Sequence, residues 1–172
     1  MIYIFVPFLS LFFIGCVSSD DILIEDSQHK KLATLLSNLN KKVNFDEARE
    51  LANQSLIYSN QLTKDYDLAT PPLYHNFLVN IGVKQRGLCW HFAYDMLAHT
   101  KELNLKSFDY YIGGANINDY WQEHNSLVVT CKGCEFNKGI VLDPWRNSGN
   151  LYFSNIKDDK NYLWTQRGEL RN

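Results

Sequence analysis

Cys89, His124 and Asp143 are the residues whose types and order fit covalent chemistry in this chain. A thiol is a strong nucleophile only as its thiolate, which the positive end of a helix and a nearby imidazolium both favour. Cys89 heads the segment Cys89-Trp90-His91-Phe92-Ala93-Tyr94-Asp95-Met96-Leu97, in which Phe92, Ala93, Met96 and Leu97 recur at helical spacing. A helix starting near Cys89 buries that stripe and leaves the sulfur facing inward at its N-terminal end. His124 opens the apolar run Leu127-Val128-Val129, and Asp143 closes Ile140-Val141-Leu142. A proton carrier at His124 and an orienting carboxylate at Asp143 complete a set suited to acyl transfer.

Those residues need a scaffold that brings them together. An antiparallel hairpin with an even-length loop sets position 124 opposite 143, and opposed residues point to one face. The connection this leaves, Cys131 to Phe136, is six residues long and suits a hairpin.

Upstream, Asn44 with Glu47 reads as a capping pair for a helix over Phe45 to Leu62. Pro71-Pro72 opens a second helix over Leu73 to Ile81, with Gly82 as its stop. Strands are predicted over Phe108 to Ile112, Asn125 to Thr130 and Gly139 to Leu142, with Gly113-Gly114 and Lys132-Gly133 as turns. Helices first and strands after predict an α+β fold, with the cysteine helix packed on an antiparallel sheet. The stretch from Trp145 to Asn172 shows no readable periodicity.

Gly87-Leu88-Cys89-Trp90-His91-Phe92-Ala93 resembles the nucleophile motif of the transglutaminase-like superfamily, Gly-x-Cys-Trp-x-Phe-Ala. His124 and Leu142-Asp143-Pro144 follow in that superfamily's order, so the resemblance spans about residues 45–145. It implies a papain-like core with a Cys89-His124-Asp143 triad, acting on protein or peptide amides. Asn125 and Ser126 depart from the small-then-aromatic pair usual after the histidine. The backbone N–H of Cys89, at a helix start, is the expected oxyanion donor, and Gln85, close to but not at the usual spacing, is the side-chain candidate. Trp90, Trp145 and Arg146 are candidates to line the substrate site, the turn at Arg146 either touching substrate or only closing the fold. No acidic loop resembles the calcium sites of animal transglutaminases, so neither metal nor cofactor is expected. The acceptor decides the activity: water makes a cysteine peptidase or amidase, and a lysine amine makes a cross-linking enzyme. A non-catalytic module that binds peptide in the same cleft is the alternative from another class.

The chain has 172 residues, 45% of them apolar and 21% charged, which suits one soluble domain. A net charge of −2 without a dense Lys/Arg cluster argues against nucleic acid as a partner. The uncharged opening MIYIFVPFLSLFFIG is too short to span a bilayer and has the shape of an export signal. Phe13-Ile14-Gly15-Cys16 resembles a bacterial lipobox, which implies lipid on Cys16 and an envelope location, periplasmic in a Gram-negative cell. A plain secretory signal with an incidental cysteine is the alternative. The expected organisation is thus a signal over 1–15, a polar tether over 16–43, helical in part about the short apolar stripe Leu32-Ala33-Thr34-Leu35-Leu36, and the domain over 44–172. Cys131 and Cys134, with no second ligand pair for zinc, suit a turn disulfide in an exported protein. His29 in the tether, His75 beside the prolines, and His91 and His99 on the helix surface are assigned no role.

Overall fold

The computed structural model describes residues 19–119 and 121–167. Within them the chain is α+β, with helices α1 (Ser19–Ser37), α2 (Phe45–Asp65), α3 (Pro72–Asn80) and α4 (Cys89–Glu102) preceding the sheet. Strands β1 (Phe108–Ala115), β2 (His124–Cys131), β3 (Ile140–Asp143), β4 (Tyr152–Asn155) and β5 (Thr165–Gln166) pair antiparallel in the order β4-β3-β2-β1-β5. Among the described residues no helix is long and apolar enough to cross a membrane.

Asn44 caps α2, its side-chain oxygen accepting from the N–H groups of Asp46 and Glu47. Glu47 does not return the bond. Its carboxylate accepts from the backbone of Lys106 at 3.0 Å and Ser107 at 2.8 Å, tying α2 to the entry of β1. Those bonds hold the Glu47 carboxyl below its usual range.

The stretch 16–43, read as a polar tether helical in part, carries α1. Leu32, Ala33 and Leu36 are buried against α2 in the main core, since this short apolar stripe has a helical partner to cover it. The expected signal over 1–15 and Cys16 lie outside the described residues.

The central strand β2 is buried along its whole length, and its alternating residues feed two cores. Leu127 and Val129 join Phe92 and Met96 of α4, whereas Val128 faces Val141, Ile156 and Trp164 on the other side. Gly113-Gly114 is not a turn but continues β1, which therefore runs to Ala115. A Cβ on Gly113 would stand 2.9 Å from Val128 and 3.1 Å from Trp164, so the glycine admits the closely packed indole.

Leu127 pairs with Leu142 and Val129 with Ile140, a register two residues away from the one expected. The hairpin connection runs over residues 132–139 and contains a 3₁₀ turn, Phe136–Lys138, which takes up the difference. A shift of two preserves facing. By alternation His124 and Asp143 share a face with Val128 and Val141, as diagonal neighbours instead of a directly opposed pair.

Candidate active site

Cys89 is the first residue of α4 and His124 the first of β2, and these two ends meet at one end of the sheet. The Cys89 thiol points at the carbonyl of Glu123, 3.9 Å away. His124 is 2% exposed and Asp143 fully buried, with Nε2 of the imidazole donating to Oδ2 of the carboxylate at 2.6 Å. The other ring nitrogen, Nδ1, is buried without a hydrogen-bond partner. Cys89 is close enough to help raise the imidazole's pKa, so Nδ1 is the nitrogen available to the thiol. Burial disfavours the imidazolium, but the charge and hydrogen bond of Asp143, aided by Cys89, prevail and push His124 up to about 9.

The segment before Cys89 is held from beneath by His75, which is fully buried and not idle as expected. Its Nδ1 accepts from Ala69 N–H at 3.0 Å, and its Nε2–H donates to the Arg86 carbonyl at 2.7 Å. Gly87 crosses over this ring at φ +113°, where a Cβ would lie 2.1 Å from Nε2. Glycine is required there for both conformation and space. Arg86 fastens the same loop to α4 through Asp95 at 2.7 and 2.8 Å, and Asp95 also accepts from the Tyr66 hydroxyl.

His91, expected on the surface, is buried as well. It occupies the third position of α4 and accepts the Leu88 N–H at 3.1 Å through Nδ1, a cap for the helix that presents Cys89. Burial, aided by the Arg86 charge, lowers its pKa to about 4, so it stays neutral and keeps that acceptor. His99 is partly buried and stacks on Tyr58 with ring centres 4.0 Å apart.

Behind the imidazole lies a charged cluster. Arg146, a candidate to touch substrate, is turned inward: its Nε donates to Asp143 at 3.0 Å and its two terminal nitrogens to Asp159 at 3.1 and 2.7 Å. The cause is local, because the turn after β3 also bonds Arg146 N–H to Asp143 Oδ1 and sends the side chain back along the strand end. The guanidinium is further sandwiched by the rings of Tyr152 and Tyr162, at 3.8 and 4.8 Å. Asp159 additionally accepts from the Trp164 indole at 2.9 Å, and these hydrogen bonds outweigh burial to lower its pKa. The stretch that sequence left unread thus wraps the histidine: Trp145, Tyr162 and Trp164 lie 4.9, 4.6 and 5.4 Å from the His124 ring.

In front of Cys89 opens a cleft of about 710 Å³ between α3, the start of α4 and the loop before β2. Trp90 lines it as expected of a substrate-contacting residue, while Trp145 and Arg146 are not among its walls. Gln85 is exposed and also off the cleft. Asn76 is among the cleft's walls. The Trp145 indole N–H donates to Asn76 Oδ1 at 3.1 Å, which fixes the amide's orientation and leaves its NH₂ for the cleft. A helix with two prolines at its start gave no sign of this, since the orientation of Asn76 is set by Trp145, far along the chain.

Cys131 and Cys134 are joined by a disulfide at the hairpin tip. Among the described residues no group of three His, Cys, Asp or Glu could hold a metal ion. Comparison with protein-family models, with curated proteins and with solved structures finds no match to this chain.

Proposed function

We propose that the protein is a thiol-dependent acyl-transfer enzyme with a papain-like, transglutaminase-like core, a cysteine peptidase or amidase acting on peptide or protein amides in the bacterial envelope. The observation that carries this reading is the buried His124–Asp143 pair, whose unpartnered Nδ1 stands beside Cys89 at a helix start. Once the thiol proton has passed to His124 Nδ1, forming the imidazolium that Asp143 supports, Cys89 Sγ bonds to the amide carbonyl carbon. The C–N bond then breaks, the amine leaves with that proton, and a thioester remains. Water attacks the thioester, its proton passes to His124, and breaking the C–S bond releases the acid and returns the thiol. Asp143 holds Nε2–H throughout, as the orienting member of such triads does. The Cys89 backbone N–H and the Asn76 amide are the donors suited to the oxyanion. Water is the favoured acceptor because the cleft is open to solvent, whereas aminolysis needs water kept out.

Hydrolysis of a peptide amide should disappear in Cys89→Ala. His124→Ala should lower both turnover and alkylation of Cys89, by about 10²-fold or more for turnover. Wild-type hydrolysis by a Cys89→Ala protein overturns the proposal. The envelope location rests on Cys16 and has its own test. Native protein should enter the detergent phase on partitioning, and recovery in the aqueous phase with unmodified Cys16 replaces the lipid anchor with a plain secretory signal.

A further inference from the structure

The cleft in front of Cys89 has walls of two chemical kinds, in an ordered arrangement. Residues 73, 76, 77 and 80 of α3 follow helical spacing and all line it, so one stripe of that helix forms a wall. Within the stripe Leu73 and Phe77 make an apolar row, 68% and 54% exposed, and Asn76 and Asn80 make a parallel row of amides. Trp90 and Trp121 supply further aromatic surface. Among the described residues of the lining Glu123 is the only charged one, and Arg167 neutralises it in an ion pair. An apolar strip of this size left uncovered on a soluble domain marks a surface that takes up a ligand. The nucleophile at its end requires that ligand to present a carbonyl within bonding reach of Sγ.

We propose that the cleft selects an extended, uncharged peptide segment carrying large aliphatic or aromatic side chains next to the amide attacked at Cys89. The amide row meets the substrate's backbone N–H and C=O groups, and the Leu73–Phe77 row with the two indoles covers its side chains. An acidic side chain finds no unpaired cation among the described residues of the lining and would be desolvated against apolar walls and the Glu123 carboxylate. This inference rests on the acyl-transfer reading and deepens it to a substrate class.

The experiment uses the full chain and matched tripeptide vinyl sulfones with Leu, Phe, Ala or Glu beside the electrophile, with adduct formation at Cys89 followed by intact mass. Iodoacetamide, too small to fill the cleft, is the parallel probe. Leu and Phe compounds should react about tenfold or more faster than the Ala compound, which in turn outpaces the Glu compound. Leu73→Ser with Phe77→Ser should erase that preference without changing the iodoacetamide rate. Ile81→Ser, exposed just beyond the C-terminus of α3 and off the cleft, should leave it intact. Equal rates across the tripeptides, or a preference unmoved in the folded double variant, overturn the selectivity while a fast iodoacetamide reaction leaves the thiolate chemistry standing. Iodoacetamide reactivity no greater than a free cysteine's overturns the acyl-transfer reading itself.

Discussion

One oxygen of Asp143, Oδ2, accepts from His124 Nε2 at 2.6 Å and from Arg146 Nε at 3.0 Å. The imidazole and the guanidinium therefore compete for a single buried carboxylate, with Asp159 taking the far side of the guanidinium. Removing Arg146 leaves both carboxylates without their shared cation. Arg146→Met should lower stability by about 3–5 kcal/mol, the usual cost of breaking a buried ion pair from one side. A chemical denaturation midpoint within error of wild type would assign the cluster no structural weight.

Stability should also depend on pH through His124. Its pKa of about 9 in the fold lies above the ordinary 6.5, because Asp143 and Cys89 outweigh the effect of burial. The imidazolium's contribution is thus complete below about pH 6.5 and is lost as pH rises through about 9. Melting temperature should fall over that window in wild type and fall less steeply in Asp143→Asn. Parallel curves for the two proteins would remove His124 as the cause.

Asp143→Asn separates orientation from proton transfer. An amide still holds the imidazole but supports its charged form less well, so turnover should drop by about 10²–10⁴-fold in a folded protein with residual Cys89 labelling. Full turnover in that variant leaves a Cys89–His124 dyad as the working unit.

Gly87→Ala tests the floor under the nucleophile. The added methyl would meet the His75 ring at 2.1 Å, and φ of +113° is strained for any side chain. The loop must move, with about 1–3 kcal/mol lost and slower alkylation of Cys89. Unchanged labelling would mean that the loop does not govern the position of the sulfur.

Cys131→Ser with Cys134→Ser should cost no more than about 2 kcal/mol, because the disulfide closes so short a loop. The hairpin tip lies at the end of β2 opposite His124, so Cys89 labelling should be unaffected. A large fall in labelling would couple the tip to the site.

The cysteine helix was legible because Phe92, Met96 and Leu97 pack in a single core, so spacing alone reported both the helix and its inward side. The α+β class followed from the order of periodicities. Register was not legible: the 3₁₀ turn at Phe136–Lys138 has no apolar period, and it lengthened the hairpin by two residues while preserving facing. Trp164 and Asp159 escaped notice for a different reason. Their positions are set by Gly113 and Arg146, contacts distant along the chain that no local pattern encodes. His75 looked like a turn residue beside prolines because its two partners, Ala69 and Arg86, are backbone groups.

The chain contains four tryptophans, and all of them stand at the site: Trp90 and Trp121 on the cleft, Trp145 and Trp164 on the His124 ring. Tryptophan fluorescence, excited selectively over the ten tyrosines, therefore carries no background from the rest of the molecule. The inner pair lies against a titrating imidazole and the outer pair against incoming ligand, so the unlabelled protein reports protonation and occupancy optically.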